Sequence, residues 1–192
     1  MTKSSTNETI AKFFLEDSSD FLKRYRILRE ESIAGNMGMR SKLLVDLLFS
    51  AECSIKALIF LESEEDANTI YNKIFKHELN QLLKNFSAEK QNNLKQFLDD
   101  EKFMKYSISN RYMLETYKKF KPDGTFSEEY YDTIVNYVWL DAIYKKLDDL
   151  RNFVWSKIAS PIESFTFGEN IDDISKQHAE IMNLKKETKK KE

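Results

Sequence analysis

The chain has 192 residues, enough for one domain or one domain with a tail. It is 41% hydrophobic and 13% aromatic, and holds only four glycines and two prolines, which excludes a turn-rich all-β architecture and predicts long helices joined by few loops. Thirty basic residues face 32 acidic ones, a net charge of −2, so a uniformly basic nucleic-acid coat is excluded while a local basic cleft is not.

In chain order, the first helix is expected from about Thr6 to Ala34, opened by a Ser5/Glu8 capping box. Its apolar stripe is read as Ile10, Phe13, Phe14, Phe21, Tyr25 and Leu28, and Gly35-Asn36 is its stop. A second helix, about Arg40 to Glu62, is the most hydrophobic. Leu44, Leu47, Leu48, Ala51, Ile55, Leu58 and Ile59 line one face, and Leu43, Val45, Phe49 and Phe60 widen it. Such a helix belongs at the centre of a bundle. Glu52 and Lys56, one turn apart, are expected to pair.

Shorter helices follow near Glu65 to Phe75, over His77 to Leu83, and after Ser87, the last burying Leu94, Phe97, Leu98 and Met104. A further piece is read around Tyr112, Met113, Tyr117 and Phe120, before the Pro122-Asp123-Gly124 turn. A Thr125/Glu128 capping box then opens the longest predicted helix, to about Ala159, stopped by Pro161. Its apolar side is Ile134, Val138, Ile143, Leu147, Leu150, Val154 and Ile158. Roughly 50 Å long at 1.5 Å per residue, it would overhang a small bundle and offer a surface to a second copy. Residues 1–161 are read as one helical-bundle domain. Residues 162–192 are read as a weakly helical, partly disordered tail with a lysine-rich end.

A single cysteine, Cys53, excludes an internal disulfide, and the polar start shows no signal peptide. The longest apolar stretches are too short to span a bilayer. The expectation is a cytoplasmic protein with no membrane partner.

Several chemistries are missing. Four scattered glycines make no phosphate loop. His77-Glu78-Leu79-Asn80-Gln81 begins like a zinc-protease helix but has Gln81 in place of the second histidine. Ile74 and Ser175 stand three residues before His77 and His178, so no Glu-x-x-His pair is present for a di-iron site. Cys53 lies inside the apolar second helix, where a structural thiol is the favoured reading over a nucleophile paired with His77. No metal and no cofactor are predicted.

Three segments together resemble the HEPN superfamily, small helical-bundle domains, often ribonucleases, of toxin–antitoxin and phage-defence systems. They are Leu48-Phe49-Ser50-Ala51-Glu52-Cys53-Ser54-Ile55-Lys56-Ala57-Leu58-Ile59, then His77-Glu78-Leu79-Asn80-Gln81-Leu82-Leu83, and Leu150-Arg151-Asn152-Phe153-Val154-Trp155-Ser156 on the last long helix. The resemblance spans roughly 40–159. It implies an all-α, HEPN-like antiparallel helical bundle with short extra helices, a homodimer, and a cleft in which Arg151, Asn152 and Ser156 occupy a degenerate catalytic motif. The family's histidine, five to seven residues after the arginine, is missing: Ser156, Lys157 and Ile158 stand there.

Serine at its ordinary pKa cannot take the 2′-hydroxyl proton. The resemblance therefore implies a module in which Arg151, Asn152 and Lys157 bind RNA or nucleotide phosphate without the standard cleavage. One alternative is an active metal-independent ribonuclease using His77 or His178 as its base. Another is a structural protein whose long helix docks onto a protein partner. Arg151, three residues after Asp148, equally fits an intrahelical ion pair, and His77 fits a capping or loop-fixing role.

Overall fold

The computed structural model describes residues 3–31, 37–98, 102–106, 121, 125 and 127–158, all within Met1–Ile158. The expectations for Gly35 and Asn36, for the piece at 112–120, for the Pro122-Asp123-Gly124 turn, and for 159–192 with Pro161 and His178 lie outside these residues. Among the described residues there are seven α-helices, one 3-10 turn and no strand. They are α1 (Lys3–Glu31), α2 (Met37–Glu62), α3 (Ala67–Ile74), α4 (Leu79–Leu83), α5 (Ala88–Phe97), the 3-10 turn Phe103–Lys105, α6 (Glu128–Asp132) and α7 (Tyr137–Ser156). No helix among them is long and apolar enough to cross a membrane.

Helix α2 is the centre. From Leu43 to Phe60 nearly every side chain is buried, the apolar ones together with Asp46, Ser50, Glu52, Ser54 and Lys56. Helix α1 packs along it in the opposite sense: Phe14 stacks on Phe60 and Phe21 on Phe49, and Arg24 reaches Asp46. Small residues allow the close approach, with Ser18 Oγ 2.8 Å from Ser50 Oγ and 2.9 Å from Ser54 Oγ in a buried cluster. The buried stripe of α1 is Ala11, Leu15, Ser18, Leu22 and Tyr25. The stripe read from the sequence is thus displaced: Phe13 is exposed, and Ile10, Phe14 and Leu28 are only partly covered. Helix α1 also begins at Lys3, so Ser5 sits inside it rather than at its cap.

Short helices are set by their caps. Asp66 accepts from the Asn68 and Thr69 amides, opening α3 at Ala67. Ser87 accepts from the Lys90 amide and opens α5. Leu94, Leu98 and Met104 are buried as read, whereas Phe97 remains exposed.

The longest predicted helix is interrupted. Helix α6 ends at Thr133, whose backbone (φ −129°, ψ −82°) is not helical. The Thr133 hydroxyl donates to the Glu129 carbonyl, and the Tyr106 hydroxyl lies 2.9 Å from both Thr133 Oγ1 and Glu129 Oε1. Asn136 Oδ1 then accepts from the Trp139 amide and starts α7 anew. Helix α7, with 20 residues, is about 30 Å long, against the roughly 50 Å expected. Ile134, Ile143, Leu147, Leu150 and Val154 are buried, but Val138 is 81% exposed. Tyr25 fastens α1 to α7: its hydroxyl donates to Asp141 (2.6 Å), its ring stacks on Tyr144, and Arg29 reaches the same carboxylate.

Asp46 is fully buried, with Arg24 Nη2 2.7 Å from Oδ1 and no partner for Oδ2. Burial, opposed by Arg24, pushes its carboxyl up from 3.8 to about 6. Above pH 6 the folded chain carries the cost of this charge. As pH falls from 6 toward 3.8 the folded state takes up the proton first, so this group's cost is relieved. Asp46→Asn is therefore expected to be more stable than the native chain at pH 7 by on the order of 2 kcal/mol, with the gap closing by pH 4. Urea unfolding at both pH values measures it; a gap independent of pH would contradict the assignment.

Candidate functional site

The residues read as a degenerate catalytic motif all lie at the end of α7. That end is held down by Leu147, Leu150 and Val154, all buried, which turns Arg151 and Asn152 toward the surface. Arg151 Nη2 donates to Asp148 Oδ1 (2.8 Å) and to Asn152 Oδ1 (3.0 Å). Asn152 Nδ2 lies 3.5 Å from Asp148 Oδ2. The three side chains form one small network. Both of the arginine's hydrogen bonds leave from Nη2, and Nε is buried without a partner. The Arg151 side chain is 23% exposed, and its ion pair with Asp148 is the intrahelical one anticipated from the spacing. A pair of this kind is worth roughly 0.2–1 kcal/mol.

Ser156 and Lys157 are committed differently. The Ser156 hydroxyl donates to the Phe153 carbonyl (2.7 Å), one turn back. Lys157, the C-cap of α7, swings toward α2: its Nζ is 3.6 Å from Glu62 Oε1 and 4.8 Å from the Phe153 ring centroid. Arg151 and Asn152 are thus joined directly. Lys157 is joined to Glu62 instead, and Ser156 to neither.

The second motif segment is tied to the first. Lys56 Nζ is 2.6 Å from Glu52 Oε1, an almost buried pair on α2. His77 Nδ1 lies 3.0 Å from the same oxygen, with its side chain 63% exposed. His77 thereby hooks the connection between α3 and α4 onto α2. Asn80 Nδ2 donates to the Met104 carbonyl and pins α4 to the 3-10 turn. Neither contact reaches Arg151. Burial, with Glu52 beside it, pushes the Cys53 thiol up to about 12, so it stays protonated at neutral pH and is no nucleophile. Among the described residues no group of histidine, cysteine and carboxylate side chains could hold a metal ion.

Sequence reasoning missed a pocket of about 480 Å³ beside the C-terminal end of α2. Glu62 and Glu65 line it together with Lys73 and Lys90, and Ile59, Ile70 and Phe86 form its apolar part. Lys90 pairs with Glu62 across 28 residues of sequence, and Lys73 Nζ lies 2.5 Å from Glu65 Oε1. Such distances in sequence leave no linear spacing to read. Glu62, shared by Lys90 and Lys157, connects this pocket to the end of α7.

No protein-family model, curated protein or solved structure matches the chain.

Proposed function

We propose that the chain is a HEPN-like antiparallel helical bundle that binds RNA phosphate through Arg151, Asn152 and Lys157 without cleaving it, working as a homodimeric binding or regulatory module in a bacterial defence or toxin–antitoxin system. The observation that carries the reading is the state of the two motif positions: Arg151 is 23% exposed at the end of α7 and held through Nη2 by Asp148 and Asn152 of its own helix, while the Ser156 hydroxyl is spent on a backbone carbonyl. An arginine fork is suited to two phosphate oxygens. Asn152, already aligned with it, adds an amide donor. A hydroxyl at its ordinary pKa supplies no base for a 2′-oxygen. His77, the alternative base, is engaged with Glu52. The family resemblance supplies the dimer and the defence setting.

Fluorescence anisotropy with a labelled single-stranded RNA tests the binding claim. Phosphate contacts are strongest at low salt, so affinity is expected there and is expected to decline as salt rises. Arg151→Ala is expected to weaken binding about 10-fold or more, the worth of one charge-assisted contact, and to lower the salt slope by about one contact's share. Absence of affinity at low salt, or an Arg151→Ala variant that binds as the native chain does, would remove this reading.

A further inference from the structure

Asp46 is a carboxyl group closed off from water. Its side chain is 0% exposed on α2, Oδ2 has no partner, and Oδ1 meets Arg24 of α1 at 2.7 Å. The arginine is placed quite differently: its side chain is 58% exposed, and its guanidinium lies 5.3 Å from the Phe21 ring centroid. The ion pair thus joins two helices with one partner buried and the other largely in water. Among the described residues, the charges that act on Asp46 are Arg24 from α1 and Lys42 from its own helix, and α7 contributes none.

The two partners respond differently to a proton. Arginine keeps its charge throughout the working pH range. Burial penalises the carboxylate and favours the neutral acid, so Asp46 takes its proton at about pH 6 in the folded chain, against its ordinary 3.8. A neutral acid holds a guanidinium by an ordinary hydrogen bond, roughly half as strong as the charge-assisted one it replaces. Water competes for a guanidinium this exposed, and the long side chain regains rotamer freedom on release. Two neighbouring contacts between α1 and α2 carry no titratable group: Phe21 stacks on Phe49 with centroids 4.9 Å apart, and Ser18 bonds to Ser50 and Ser54. As pH falls from about 6 toward 3.8, the proton relieves the buried charge in the folded state first. The pair therefore opens without loading the fold, and the helices stay together.

We propose that Asp46 and Arg24 form a proton-operated latch between α1 and α2, closed at neutral pH and open in mild acid, where Arg24 swings free as a surface cation while the helix pair remains packed. Opening turns a neutral pair into one exposed positive charge, with exposed Lys42 one turn from Asp46 on α2. The latch is independent of the reading of Arg151.

Nuclear magnetic resonance on the isotope-labelled full chain tests it, following the Asp46 carboxyl carbon and the Arg24 Nε–H group from about pH 7 down to about pH 4.5, a span that covers the expected transition. The carboxyl carbon is expected to titrate near pH 6. Over the same midpoint Arg24 Nε–H is expected to pass from ordered to mobile while the Phe21–Phe49 contact persists. In Asp46→Asn, whose amide stands in for the neutral acid, Arg24 is expected to be mobile at both ends of the range. In Arg24→Gln the Asp46 midpoint is expected to rise further, because the cation that lowers it is gone. An Arg24 Nε–H group equally ordered at both ends, or an Asp46 midpoint near 3.8, would overturn the latch. Loss of the Phe21–Phe49 contact together with Arg24 ordering would overturn it too, because the helices would then be parting.

Discussion

Replacing Phe60 by alanine is expected to cost the fold about 4 kcal/mol, the upper range for emptying a large aromatic site. Phe60 is 1% exposed at the C-terminal end of α2 and stacks on Phe14 of α1 with ring centroids 5.9 Å apart. Truncation would remove that stack and leave a cavity between the two most extensively packed helices. Ile59 and Glu62, which line the pocket, stand beside it on α2, so the pocket is expected to loosen with it. Thermal and urea unfolding measure the loss. Val138→Ala, on the exposed side of α7, serves as the control and is expected within about 0.5 kcal/mol of the native chain. A Phe60→Ala cost below about 1 kcal/mol would mean that α1 does not pack on α2 as described.

The second large effect comes from a charge. Lys56→Met is expected to destabilise the chain by about 3 kcal/mol, because it strands the Glu52 carboxylate on the buried face of α2. Glu52 would keep only His77, which is mostly exposed, and a buried carboxylate without its cation is costly. For a chain of this size, such a loss lowers the melting temperature by roughly 10 °C. Glu52→Gln/Lys56→Met removes both charges and is expected to recover much of the stability while keeping a hydrogen bond to His77. If the single variant loses less than about 1 kcal/mol, Glu52 and Lys56 are not the internal tie between α2 and the segment before α4. The outcome bears on the motif as well: the alanine–glutamate–lysine run of α2 acts here through packing, and His77 acts by anchoring a connection.

Both of these features are legible in the sequence. Helix α2 could be read because its apolar residues cover nearly the whole circumference, and no choice of face was required. Glu52 and Lys56 could be read because their partnership is one helical turn. Helix α1 was harder: it carries apolar residues on more than one face, so large aromatics such as Phe13 drew the stripe away from the smaller Ala11 and Ser18 that permit close packing. The break at Thr133 depends on Tyr106, 27 residues earlier, and could not follow from local propensity. Asn136 was a local signal passed over, an N-cap residue inside an apolar periodic run. At the candidate site, Arg151 and Asp148 were legible as an ion pair. The turn of Lys157 toward Glu62 was not, because it depends on how α7 lies against α2.

Incubation of labelled RNA with the native chain and with Arg151→Ala, in the presence of EDTA, tests the central claim most directly. The account predicts RNA that stays intact with both proteins and is retained by the native chain but poorly by the variant. Cleavage products formed by the native chain and absent with Arg151→Ala would contradict it, because the site would then possess a base that Ser156, bonded to the Phe153 carbonyl, does not provide.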